Sequence, residues 1–191
     1  AAWDRALVRD YGRALGQDCR ARGVHILLGP GVNIYRSPLC GRNFEYYGED
    51  PYLAGEMGVS VVRGLQGPDT TRYDKLHACA KHFAVHSGPE WNRHVFNAEN
   101  IAPRDLWETY LPAFKRLVTE AGVKEVMCAY NRYEGEPCCG SNRLLQQILR
   151  DEWGFDGIIL SDCWAIADFY TEGNHNTEPD AHCLLYTSPS P

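Results

Sequence analysis

The chain has 191 residues, 44% of them hydrophobic and 12% aromatic, and carries a formal net charge of −6. This length and composition belong to a globular protein with one substantial core and exclude a disordered one. The acidic balance, with no long basic run, argues against nucleic acid or an anionic membrane as partner. No stretch approaches the roughly 18 consecutive apolar residues of a membrane span.

In chain order, helices and strands alternate. Residues 3–22 place Ala, Leu, Arg and Asp at helical spacing and stop at Gly23; "VHILLGPGVNI" (24–34) then reads as an apolar strand entering a Gly/Pro loop. A long polar loop runs to Pro51, followed by a helix over "YLAGEMGVSVVRGLQG" (52–67) and a small-residue strand, "HACAKHFAV" (77–85). Residues 102–122 predict a helix: Pro103 suits its first position, Leu106, Tyr110, Phe114, Leu117 and Ala121 form an apolar stripe, and Pro112 should kink it. "VKEVMCAYN" (123–131) is a third strand, and 141–155 a helix with Ser141 as N-cap. "DGIILSD" (156–162) is the last strand, its unalternating run Gly157–Leu160 being that of a strand buried on both faces.

Four strands separated by helices mean parallel βαβ units, in an open sheet or in a barrel. Each strand ends in polar groups: Asn33 and Arg36 after the first, Lys81 and His82 at the second, Tyr130 and Asn131 at the third, Asp162 at the fourth. Reactive groups converging from successive strand ends are the mark of a barrel enzyme, and no glycine-rich dinucleotide fingerprint follows the first strand. The predicted class is therefore α/β, a partial (β/α)₈ barrel of about half the usual eight strands, with no cofactor. Residues 1–170 form this barrel piece. Residues 171–191 lose apolar periodicity and read as an unstructured tail, either an ordinary disordered terminus or, in "LLYTSPSP", sequence of non-native origin.

The loop "NIYRSPLCGRNFEYYGEDPYLAG" (33–55) mixes Arg36, Arg42, Glu45, Glu49 and Asp50 with Tyr35, Phe44, Tyr46 and Tyr47. Guanidinium and carboxylate groups can pair with adjacent hydroxyls while rings offer flat apolar faces, as a sugar requires. The alternative is an ion-pair network that only pins the loop, the expected role of Glu49 and Asp50. Lys81 and His82 would face opposite ways on a regular strand, so one pocket receives both only if the strand ends or twists there. Arg93 adds a donor on the following loop. The eight cysteines are dispersed and read mostly as small core hydrophobes. His77, Cys79, His82 and His86 fall on two strand faces, so a single tetrahedral metal site needs a break between them, and none is assigned. An aspartate closing a buried strand needs a partner or a job.

"NIYRSPLCGRNFEYYGEDPYL", "KHFAVHSGPEWNRH", "VMCAYNRYEGEPCCGSN" and "WGFDGIILSDCWAI", in this order and spacing, resemble the N-terminal barrel domain of glycoside hydrolase family 3, the β-glucosidase and β-xylosidase family, over about residues 3–170. The resemblance implies that Asp162 is the catalytic nucleophile of a retaining exo-glycosidase. It makes Arg42, Lys81 and His82 sugar-binding groups, with Arg93 near another sugar-binding arginine and Tyr130 beside the nucleophile. Many members follow the nucleophile directly with Trp; here Cys163 intervenes and Trp164 takes the aromatic position, a form like the β-xylosidase branch. Retention needs a second carboxyl group about 5 to 5.5 Å away. In the family that acid/base comes from a downstream α/β domain, so this chain is expected to need the rest of the barrel and that domain, and to be inactive alone. The implied substrate is a small oligosaccharide or an aryl or alkyl β-glycoside. Two other readings stand beside it: a barrel remnant that binds carbohydrate without chemistry, and a metal-dependent hydrolase built on the His77–His86 cluster.

Overall fold

The computed structural model describes residues 3–68 and 75–171. Except for Thr171, the stretch read as a tail lies outside the described residues. The frame is a four-stranded parallel sheet of β1 (Ile26–Leu27), β2 (His77–Phe83), β4 (Glu125–Cys128) and β7 (Ile158–Ser161), in the order β1-β2-β4-β7. Spatial order follows chain order, as in the arc of a (β/α)₈ barrel. A small second sheet joins β3 (Asn97–Ala98), β5 (Arg132–Tyr133) and β6 (Glu136–Pro137) above the strand ends.

Each crossover is helical. Helix α1 (Arg5–Ala21) leads into β1, capped by Asp4, whose carboxylate accepts from the Ala6 and Leu7 amides. Helix α2 (Pro51–Gln66) links β1 to β2; Asp50 is its N-cap, so the loop-pinning role expected of this residue is a helix cap with Pro51 at the first position. The next crossover is broken into α3 (Pro103–Asp105), a π-helical turn (Leu106–Tyr110) and α4 (Pro112–Thr119). Pro112 has no N–H to offer the Glu108 carbonyl, and the chain widens there so that Leu111 N donates to Leu106 O at 3.0 Å. Helix α5 (Asn142–Glu152), also π-helical, links β4 to β7 and is capped by Ser141, which accepts from Leu144 N. Its Leu144, Leu145, Ile148 and Leu149 are buried, and Trp153 packs edge-on against Phe83, which in turn meets Phe114.

Three expectations change. The first strand is only Ile26–Leu27, because the Gly29–Pro30 stretch interrupts regular pairing; the chain still runs beside β2, with Cys79 N bonded to Gly29 O and Val32 N to Lys81 O. The last strand is not buried on both faces: Ile158 is 43% exposed, because β7 is the sheet's outer strand among the described residues and its far side is uncovered. The cysteines are not all simple core hydrophobes, since Cys128 and Cys139 form a disulfide that closes the segment carrying Tyr130 and Asn131. Cys138, beside it, stays a buried thiol pushed up to about 12 by burial.

Helices α1 and α2 cross almost in backbone contact. A Cβ on Gly12 would lie 2.8 Å from Val61 O and 3.1 Å from Gly64 Cα, both of them backbone atoms that cannot swing aside. Gly12→Ala is therefore expected to cost about 2 kcal/mol despite the better helix propensity of alanine, read as a lower urea midpoint at unchanged slope.

Candidate active site

The C-terminal ends of the four parallel strands bring together most of the residues singled out above. β2 is irregular where it matters: its register against β4 shifts between Ala80 and Phe83, and Lys81 and His82 consequently reach one cluster. Asn33 clamps this point from the first crossover loop, accepting from His82 N at 2.6 Å and donating to His82 O at 2.8 Å. Among the described residues the Gly29–Pro30, Lys81–His82 and Phe83–Ala84 peptides are cis.

Arg42 sits at the centre. Its Nε donates to Glu45 Oε1, its Nη2 lies 2.8 Å from His82 Nε2, and its Nη1 is 3.9 Å from Asp162 Oδ2. A guanidinium only donates, so His82 Nε2 accepts, and Nδ1 carries the proton and donates to the Tyr46 hydroxyl at 2.9 Å. His82 is thus a neutral imidazole. Complete burial, reinforced by His86 and by the charges of Arg42, Lys81 and Arg93, holds it far below the usual range. Although Nε2 is 3.4 Å from Asp162 Oδ2, two acceptors face each other there and no proton joins them.

Asp162 is 8% exposed; Oδ1 accepts from the Cys163 amide at 2.8 Å, and Oδ2 makes no hydrogen bond among the described residues. Tyr130 stands beside it, its phenol raised well above ten by burial, then by the Asp162 charge and by a side-chain hydrogen bond with that residue. Lys81 does not pair with Asp162: its Nζ lies 2.9 Å from Glu45 Oε2. Burial works against ionising Glu45, yet hydrogen bonds and charge from Arg42 and Lys81 outweigh it and hold the carboxyl below the usual range.

Arg93 stacks over Tyr130, 5.4 Å from the ring centre, and pairs with Glu90. Trp164 is 83% exposed on the turn after Asp162, in the left-handed region at φ +63°. Arg36 does not join the cluster: it pairs with Asp105 at 2.8 Å and covers Tyr110.

Glu45 and Tyr46, expected only as members of the polar and aromatic loop, take specific places in the cluster, His86 serves as a support and not as a metal ligand, and the pair His94–Asp168 was not foreseen. His86 donates through Nδ1 to Asn131 Oδ1 at 2.9 Å, and burial depresses it to about 4. His94 donates to Asp168 at 2.8 Å and packs on Tyr130 at 4.4 Å. The only advance signals were i,i+3 spacing of Glu45 from Arg42 and the aromatic run around it. The proposed metal ligands are separated, His77 bonding Glu125 and His86 bonding Asn131, and no group of three His, Cys, Asp or Glu among the described residues is arranged to hold a metal. A groove of about 510 Å³ between α1, α2 and α4, lined by Arg5, Arg9, Arg63 and Arg116, touches none of the strand-end residues.

Fold and strand-end charges together define part of a parallel α/β barrel whose polar groups gather at the C-terminal rim. Residues 1–182 match the family described as Glycosyl hydrolase family 3 N terminal domain, and the chain belongs to that family. It is 59% identical over 166 residues to a xylan 1,4-beta-xylosidase of Xylanibacter ruminicola, covering 87% of this chain and 19% of that protein. It is 44% identical to the thermostable beta-glucosidase B of Acetivibrio thermocellus, covering 87% and 21%. Among solved structures, a GH3 exo-beta-xylosidase in complex with a xylobiose aziridine activity-based probe superposes with a TM-score of 0.90 at 30% identity, over 97% of this chain and 25% of that one. The chain thus spans about a fifth of the length of the curated relatives it matches.

Two buried imidazoles held neutral couple stability to pH. A histidine whose native pKa lies below its unfolded value near 6.5 binds more protons when unfolded, so stability falls as pH drops below 6.5. For His86, with a native value of about 4, the loss between pH 7 and pH 5 is expected to be about 2 kcal/mol, and His86→Gln should flatten that part of a pH series of urea melts.

Proposed function

We propose that this chain is the nucleophile-bearing part of the barrel of a retaining, exo-acting β-glycosidase that removes terminal β-linked sugars, of β-xylosidase or β-glucosidase type. The observation that carries the reading is Asp162 Oδ2, a buried carboxylate oxygen at a strand end with no hydrogen bond and Arg42 at 3.9 Å. Among the described residues Glu125 Oε2 is also buried and unpaired, but it sits at the opposite end of β4 beside His77, whereas Asp162 lies at the strand-end rim with Arg42 and Tyr130 against it, where a carboxylate is available to form a bond.

In the proposed reaction the Asp162 lone pair attacks the anomeric carbon as the glycosidic C–O bond breaks, giving a glycosyl ester. The departing oxygen takes a proton from a carboxylic acid supplied by the remainder of the protein. That group, now a base, then removes a proton from water as water attacks the same carbon and releases Asp162. Lys81 and Arg42 offer N–H donors to sugar hydroxyls, and His82 Nε2 can exchange its Arg42 partner for a hydroxyl proton. Arg93 supports Tyr130 next to the reacting carbon, and Trp164 supplies an apolar face at the rim. The higher identity to a named xylosidase supports xylosides as the first substrates to try.

In the full-length protein carrying this segment, Asp162→Asn should lower kcat on an aryl β-xyloside or β-glucoside by about 10³-fold. A 2-deoxy-2-fluoro glycoside should label the peptide holding Asp162 in the unsubstituted protein. Sugar binding without turnover or labelling would favour the carbohydrate-binding reading instead.

A further inference from the structure

Glu45 is built into the site more firmly than a loop carboxylate needs to be. The short helical turn Asn43–Glu45 folds it back onto Arg42, and its second oxygen takes Lys81 across the sheet from β2. One carboxylate therefore holds the two cations nearest the strand ends.

The charges around Asp162 make this arrangement matter. From the loop after β1 come Arg42, Glu45 and the neutral Tyr46; from β2 and its loop come Cys79, Lys81, the neutral His82 and His86, and Arg93; Tyr130 faces it from the end of β4, and Cys163 follows it in the chain. Arg93 is already paired with Glu90, so without Glu45 the two cations Arg42 and Lys81 would be left with Asp162 as their carboxylate. A lysine in direct contact would stabilise the ionised ground state, which attack consumes, and nearby cations would oppose the positive charge that develops on the sugar ring.

We propose that Glu45 is a positioning residue for glycosyl transfer to Asp162, holding Lys81 and one edge of Arg42 away from that carboxylate and offsetting their charge. This rests on the reading of Asp162 as the nucleophile. It gives the Arg42–Glu45–Lys81 clasp two tasks: it sets how readily Asp162 attacks, and it presents the outer N–H groups of both cations to sugar hydroxyls.

The test is the pH dependence of kcat/KM in the full-length enzyme, with an aryl glycoside whose leaving group needs little acid assistance. Glu45→Gln removes a negative charge near Asp162, so the acidic limb is expected to move to lower pH by about one unit, with kcat/KM down about tenfold. Glu45→Asp should leave the limb in place, and adding Lys81→Gln to Glu45→Gln should bring it back toward its original position. Should Glu45→Gln not fold, Lys81→Gln alone gives the mirror result, a limb moved to higher pH. A limb that stays fixed in Glu45→Gln while the rate falls, or one that the double substitution does not restore, overturns the proposal and leaves Glu45 a loop support. Asp162→Asn measured alongside separates the two ideas: if it stays active, the nucleophile reading fails and takes this inference with it; if it is inactive while the limb is fixed, only the role of Glu45 falls.

Discussion

The Arg42 guanidinium is the contact on which the rim of this barrel depends. It ties the first crossover loop to β2 through His82, to its own turn through Glu45, and to the end of β7 through Asp162. Because it donates to His82 Nε2, it also fixes that imidazole as neutral, with its proton turned toward Tyr46. One planar donor thus settles a tautomer, an ion pair and the approach of two strands. A lysine could not replace it, since its single ammonium offers no flat fork spanning three partners.

Around that contact the fold ties the strands down at both ends. Gln66, buried at the opposite end of the sheet, donates to Gly122 O and accepts from Lys124 N, tying the end of α2 to the turn that enters β4. With the bottom of the strands fixed and Asn33 clamping the irregular point of β2, the strand ends hold their polar groups on short tethers. On the loops beyond these ends, Trp164 and Trp91 are mostly exposed.

Much of this could be read from the residues. Gly23, Pro51, Pro103 and Ser141 punctuate the chain where helices begin and end, and the four apolar runs between them became the four parallel strands. The polar groups at their ends came together because parallel strands all finish on one side of a sheet. What stayed hidden depended on distance in space. The reach of Glu45 to Lys81, the neutral state of His82, and the pairing of Cys128 with Cys139 follow from neighbours that no local pattern announces. Arg36 shows the converse: six residues from Arg42 and equally promising in sequence, it turns outward to Asp105, because the loop reverses between them.

The disulfide has a practical meaning for anyone who handles the protein. Cys128 is the last residue of β4 and Cys139 lies in the short helical turn before α5, so the bond encloses Tyr130 and Asn131, one beside Asp162 and the other holding His86. Reducing this bond, whose two cysteines are buried, would open the ring and free a segment that borders Asp162. The open and closed rings are then two different molecules at the same sequence, and kinetic comparisons hold only when the oxidation state of this one bond is matched.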